Sequence, residues 1–260
     1  MGPAHKLWSD GARDRRDDGS RGEIGHIEYR RTRVVPVSTE VLERNRLLCD
    51  PRSAMASAYK TLRTQVLQRM REHGWRSIAV VSPAPGEGKT LSAINLCLSL
   101  ARDVHHTVLL ADLDLCRPSV HRYFELEPVL GLNDHLTSGA PIEDVLVNPG
   151  VQRLLLAPTT HPIDNSSELL ASERARTLVD ELAQRYPARI VVYDLPPVLA
   201  ADDTLAFLPN VDAVLLVVRD GKTLQRDLQR TLDLISTKPL LGSVLNRADA
   251  QTTPYQYRYG

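Results

Sequence analysis

The segment Ser82-Pro83-Ala84-Pro85-Gly86-Glu87-Gly88-Lys89-Thr90 follows the apolar run Ile78-Ala79-Val80-Val81 and leads into helical periodicity from Lys89 onward. Placed between a buried strand and a helix, Gly86 and Gly88 free the backbone to turn its N–H groups inward. That concavity sits at the positive end of the helix and suits an anion. Lys89 adds a compact cation at the floor, and Thr90 adds a hydroxyl suited to a hard divalent ion. The pattern departs from the usual GxxxxGK[ST] only at its first position, where Pro83 replaces glycine. We therefore expect Pro85, Gly86, Glu87, Gly88, Lys89, Thr90 and Leu91 to bind ATP, with Lys89 at the β- and γ-phosphates and Thr90 on Mg²⁺.

A phosphate loop of this kind requires a parallel sheet, and the rest of the chain is consistent with one. Continuous apolar runs at 77–81, 107–111, 153–157, 189–193, 212–218 and 240–245 alternate with helical stretches at 89–102, 166–185 and 223–236. Strands that are apolar throughout, rather than at alternate positions, belong to a sheet covered on both faces. The expected fold is a doubly wound, mostly parallel α/β P-loop domain over residues 50–248. A helix is expected to open it, capped by Asp50, with Pro51 in its first turn and Gly74 as its stop. Aromatics make up 5% of the chain and hydrophobic residues 42%, so the core is expected to be Leu, Val, Ile and Ala. Residues 1–33 are rich in Arg, Asp and Gly without apolar periodicity and are expected to be a disordered charged arm. Residues 34–49 are expected to be an extended lead-in, and 249–260 a mobile tail.

Two further strand ends carry chemistry. Val108-Leu109-Leu110-Ala111-Asp112-Leu113-Asp114 delivers two carboxylates to the carboxyl edge of the sheet, where ligands bind in this architecture. Ile190-Val191-Val192-Tyr193-Asp194-Leu195-Pro196-Pro197 ends another strand on Asp194, the Walker B arrangement, with Asp194 on Mg²⁺ directly or through water. Val244-Leu245-Asn246-Arg247 closes a strand at the same edge, and Asn246 is expected to offer its amide to adenine, beside Arg247.

The 32 basic and 32 acidic residues balance, which gives no electrostatic reason to expect nucleic acid as a partner. Cys49, Cys97 and Cys116 are isolated, so neither a disulfide framework nor a thiolate metal site is expected, and a reducing cytosol fits. HRD, DFG, GxSxG and HExxH patterns do not occur.

Three of the eight tyrosines fall in the last six residues: Tyr255, Tyr257 and Tyr259. A mobile run of alternate tyrosines beside an ATP site suits a phosphate acceptor. Together with Ala84 to Thr90, Leu110-Ala111-Asp112-Leu113-Asp114, Arg117-Pro118, Tyr193-Asp194-Leu195-Pro196-Pro197, Tyr59-Lys60-Thr61-Leu62-Arg63-Thr64 and Ser167-Glu168-Leu169-Leu170, this tail makes the chain resemble the CpsD/CapB-type bacterial tyrosine kinases. These kinases lie within the MinD/ParA-like P-loop superfamily and act with capsule and exopolysaccharide assembly.

The resemblance covers the chain from about Arg33 to the end. It implies autophosphorylation of the tail between subunits, with ATP and Mg²⁺ at Lys89, Thr90 and Asp194. Asp114, with Asp112, would orient the acceptor hydroxyl and take its proton, and Asp112 would also join the metal site. It implies self-association, activation by a membrane-embedded polysaccharide co-polymerase, reversal by a phosphotyrosine phosphatase, and a cytoplasmic position held at the inner face of the membrane by that partner. The family's assembly helix carries Glu-x-x-Arg-x-x-Arg; the aligned oligomerisation residues here are Ser57, Lys60 and Arg63. Its Asp-x-Asp-x-Arg pattern has Cys116 at the Arg position.

Two other readings stay open at this point. A MinD/ParA-type ATPase switch would dimerise on ATP, although its early signature lysine is Ala84 here. A catalytically weak scaffold would bind ATP without turning it over.

Overall fold

The computed structural model describes residues 32–184 and 188–248. The charged arm, apart from its last two residues, and the tail with Tyr255, Tyr257 and Tyr259 lie outside the described residues. The chain runs β1 (Arg33–Val34), α1 (Thr39–Arg44), α2 (Ala54–His73), β2 (Ser77–Val81), α3 (Lys89–Leu100) and β3 (Thr107–Asp112). Short helices α4 (Val120–Tyr123), α5 (Leu132–Ser138) and α6 (Ile142–Val145) lead to β4 (Val147–Asn148) and β5 (Leu154–Ala157). Then come α7 (Ser166–Leu170), α8 (Glu173–Gln184), β6 (Arg189–Asp194), α9 (Asp203–Phe207), β7 (Ala213–Arg219), α10 (Gln225–Ile235) and β8 (Leu240–Asn246).

The sheet has the order β1-β4-β5-β3-β6-β2-β7-β8, parallel throughout except where β4 meets β5. Its central strands are buried on both faces, as their uninterrupted apolar runs require. Alternate residues feed two cores. Ile78, Val80, Val108 and Leu110 pack under α2 and α3, and Ala79, Val81, Leu109 and Ala111 pack on the opposite face with α8 and α9. The order β3-β6-β2 puts three loop-bearing strand ends side by side, with Asp112 level with Asp194 and Val80 level with Asp194. That adjacency positions the site.

Several expectations are corrected. Helix α2 starts later than expected: Ser53 is the cap, taking the Ala56 N–H on its Oγ at 3.1 Å. Asp50 accepts the Arg52 N–H at 2.9 Å and makes a turn that holds Pro51 ahead of the helix. Gly74 does end the helix, in the left-handed conformation. The stretch 166–185 is two helices, because Ser172 ends α7 and its Oγ accepts the Ala175 N–H that opens α8.

Residues 34–49 are not uniformly extended, since they contain α1. That helix has only six residues and buries none of them, so it leaves no apolar period to read. The lead-in is nevertheless tied down. Asn95, on the fully buried face of α3, accepts the Leu48 N–H at 2.9 Å and donates to the Arg46 carbonyl at 3.1 Å. Arg63 is drawn inward too, donating to the Ser99 carbonyl at 3.0 Å near the end of α3, while Ser57 and Lys60 stay on the exposed face. Among the described residues no helix is long and apolar enough to cross a membrane.

Asn95→Ala would leave the buried Leu48 N–H and the part-buried Arg46 carbonyl without their side-chain partner. We expect it to cost roughly 1–3 kcal/mol, read as a lowered denaturant midpoint at unchanged m-value.

Candidate functional site

The phosphate loop takes its shape from its glycines. Gly86 (φ +78°) and Gly88 (φ +93°) both adopt left-handed backbone, and Gly88 caps α3 without a side chain. A β-carbon on Gly88 would lie 2.1 Å from Asn246 Nδ2. The close approach has a purpose: Asn246 Nδ2 donates to the Glu87 carbonyl at 2.8 Å, while its Oδ1 accepts the Arg247 N–H at 2.9 Å. Asn246, expected at adenine, thus braces the loop from the end of β8. The Glu87 side chain is buried and accepts the Thr223 hydroxyl at 2.7 Å, tying the loop to the turn after β7. Leu91 turns its side chain into the core beneath α3.

At the floor, Lys89 Nζ lies 2.9 Å from Asp114 Oδ2 and 3.3 Å from Asp194 Oδ1. Thr90 donates to Asp194 Oδ2 at 2.6 Å. Burial alone would lower the lysine's pKa, but Asp194 and Asp114 outweigh it and hold the ammonium above its ordinary value. Asp194 is fully buried, and burial raises its carboxyl despite Lys89 and Thr90.

Asp112 is placed differently from the sequence expectation. It is fully buried, its Oδ2 accepts the Ser119 and Val120 N–H groups at 2.9 Å each, and its Oδ1 accepts the Asp114 N–H at 3.3 Å. It therefore orients the loop carrying Asp114 and anchors the start of α4, and it stands behind the cavity rather than on its wall. Burial, then the charge of Asp194, pushes its pKa up to about 8. Crowded with Asp114 and Asp194 around one ammonium, the buried Asp112 carboxyl is harder to ionise than an ordinary aspartate.

The cavity above these groups is about 490 Å³ and is lined by Pro85, Gly86, Gly88, Lys89, Thr90 and Asp114. Across from the loop stand Pro196, Pro197, Ala200 and Ala201, with Cys116, Arg117 and Tyr123 completing the wall. Tyr123 was not legible as a site residue, because it ends a four-residue helix outside any motif.

The donor set fits a phosphate-bound Mg²⁺. Among the described residues no three His, Cys, Asp or Glu side chains converge on a metal by themselves. Thr90 and Asp194 would supply the hydroxyl and carboxylate of such a site, with its other ligands from phosphates and water.

Two outcomes follow from this geometry. Gly88→Ala should abolish nucleotide binding in a fluorescent-ATP titration, since the new methyl collides with Asn246 on a left-handed backbone. Asp112, with its folded pKa raised above the unfolded value, stabilises the fold fully at acid pH and loses that contribution as pH rises towards about 8. Unfolding midpoints from pH 5 to 8.5 should therefore fall more steeply for wild type than for Asp112→Asn.

No family model matches the chain. The tyrosine-protein kinase YwqD of Bacillus subtilis is 32% identical over 202 residues, spanning 76% of this chain and 84% of that protein. The succinoglycan biosynthesis transport protein ExoP of Rhizobium meliloti is 30% identical over 233 residues, 83% of this chain but only 29% of the relative. Among solved structures, the kinase domain of the Escherichia coli tyrosine kinase ETK superposes with a TM-score of 0.70 at 25% identity, covering 87% of this chain and 94% of that one. With the loop, the paired carboxylates and the Walker B aspartate assembled at one sheet edge, the chain belongs to the family of bacterial tyrosine-protein kinases.

Proposed function

We propose that this protein transfers the γ-phosphoryl group of ATP to tyrosines of its own C-terminal cluster, Tyr255, Tyr257 and Tyr259, on a neighbouring copy, and so regulates exopolysaccharide polymerisation or export. The observation that carries this reading is the Lys89–Asp114–Asp194–Thr90 constellation beneath a cavity roomy enough for a phosphoryl group and an aromatic ring.

On nucleotide binding, Lys89 exchanges Asp114 for the β- and γ-phosphates, and the backbone N–H groups of 86–90 close on the same oxygens. Asp114 is thereby left free at the cavity wall to accept the acceptor's proton. The phenol oxygen bonds to the γ-phosphorus, the bond to the β–γ bridging oxygen breaks, and the phenol proton passes to Asp114 and on to water. A phenol has a reference pKa of about 10 and phosphoryl transfer is loose, so positioning the hydroxyl matters more than stripping its proton early. Mg²⁺, held through Thr90 and Asp194, would neutralise charge on the phosphate oxygens. Asp112 acts from behind, fixing Asp114 through its backbone N–H.

The chain spans 29% of ExoP, a transport protein of polysaccharide synthesis. We propose that a membrane-embedded polysaccharide co-polymerase activates this chain and holds it at the inner face of the membrane. Self-association would bring one copy's tail to another's site, with Ser57 and Lys60 on the open face of α2. A phosphotyrosine phosphatase would reset the tail.

Mass spectrometry of the C-terminal peptide, from protein co-expressed with the membrane-embedded co-polymerase partner, tests the reading. Wild type should carry tail phosphotyrosine, Lys89→Ala should carry none, and Asp114→Asn should slow transfer by roughly 10²–10⁴-fold. An unmodified tail in wild type would sink the proposal.

A further inference from the structure

Apart from the Arg117 guanidinium, the cavity wall opposite the phosphate loop is poor in hydrogen-bond donors. Pro196, Pro197, Ala200 and Ala201 offer none from their side chains. The other lining hydroxyls and the thiol are committed elsewhere: Ser82 donates to the Ala84 carbonyl at 3.0 Å, Thr90 donates to Asp194, and the Cys116 thiol faces Ser166 at 3.2 Å and Asp203 at 3.8 Å. Among the described residues the Tyr123 hydroxyl has no such partner, and its side chain stands half-buried in the same cavity as Lys89, Thr90 and Asp114. The fields of Asp194, Lys89 and Arg247 all reach it. Burial, then Asp194, raises its pKa, so the hydroxyl stays a neutral donor throughout the physiological range.

Tyr123 is also held from both ends of α4. At the start of that helix Asp112 accepts the Ser119 and Val120 N–H groups. At its end the Tyr123 carbonyl accepts a hydrogen bond from Asn45 Nδ2 at 3.0 Å. Asn45 lies just past α1, and Glu125, in left-handed backbone beyond α4, is gripped by Arg44 and Asn45. The lead-in, itself pinned to α3 through Asn95, therefore sets where the Tyr123 ring stands.

We propose that Tyr123 is a further catalytic residue of this kinase, its phenol O–H donating to an oxygen of the γ-phosphoryl group during transfer, with Asn45 as the positioning residue that holds it there. This role rests on the tyrosine-kinase reading above. Charge spreads over the three equatorial oxygens of the transferring group, and a fixed neutral donor aimed at one of them stabilises that charge without adding a cation to the site.

The test compares wild type, Tyr123→Phe, Asn45→Ala and the double variant, each purified together with the co-expressed membrane-embedded partner, in single-turnover phosphorylation of the tail. Tyr123→Phe keeps the ring and its packing. It should lower the transfer rate roughly ten- to a hundredfold while ATP affinity stays within about twofold and the denaturation midpoint is unchanged. Asn45→Ala should lower the same rate, and the double variant should fall short of the product of the two effects, because both act through one hydroxyl. A Tyr123→Phe enzyme as fast as wild type overturns the role. So does phosphate found on Tyr123 itself, which would make it an acceptor. If wild type itself leaves its tail unmodified, the kinase reading fails and this role fails with it. An active wild type beside an equally active Tyr123→Phe removes this role alone.

Discussion

The Lys89 ammonium, buried between Asp114 and Asp194, is the contact around which the rest of this structure is arranged. A cation taken so far from water is tolerable only beside opposite charge, and three carboxylates crowded together are tolerable only beside a cation. Each side of the cluster therefore stabilises the other. The groups come from three separate strand ends, so the sheet order β3-β6-β2 is a requirement of the cluster as much as a frame for it.

The same contact describes a site ready for exchange. Lys89 neutralises Asp194, which with the Thr90 hydroxyl would hold a metal, and phosphates would draw it away from Asp114. Asp112 completes the arrangement from below. Its two acceptor bonds to Ser119 and Val120 and its third to Asp114 turn a deeply buried carboxyl into the hinge pin of the loop that carries the acceptor side of the site.

Around this centre the chain uses distant segments as braces. Asn246 locks the loop from the far edge of the sheet, Glu87 ties it to the turn after β7, and the lead-in spans from β1 to α3 and α4. Each brace pairs a side-chain amide or carboxylate with a backbone group or hydroxyl, a geometry-specific bond that fixes a loop without needing an apolar surface. The arginine carried into the protein at Arg63 follows the same logic at the carboxyl end of α3.

What could be read from the amino-acid order alone was local. The phosphate loop, the strand ends at Asp112, Asp114 and Asp194, and the six long strands are written in runs of neighbouring residues whose apolar period and glycine placement act over a few positions. The short α1, the two-residue strands β1 and β4, and the break at Ser172 have too few residues to carry a period. Only the tertiary structure decided that Asn246 meets Gly88, that Asn45 reaches Tyr123, that Asp112 turns away from the cavity, and that burial beside Asp194 raises its pKa. Those facts depend on approach between residues up to about 159 positions apart and on the water that approach excludes, and neither distance nor desolvation is written into any single stretch of sequence.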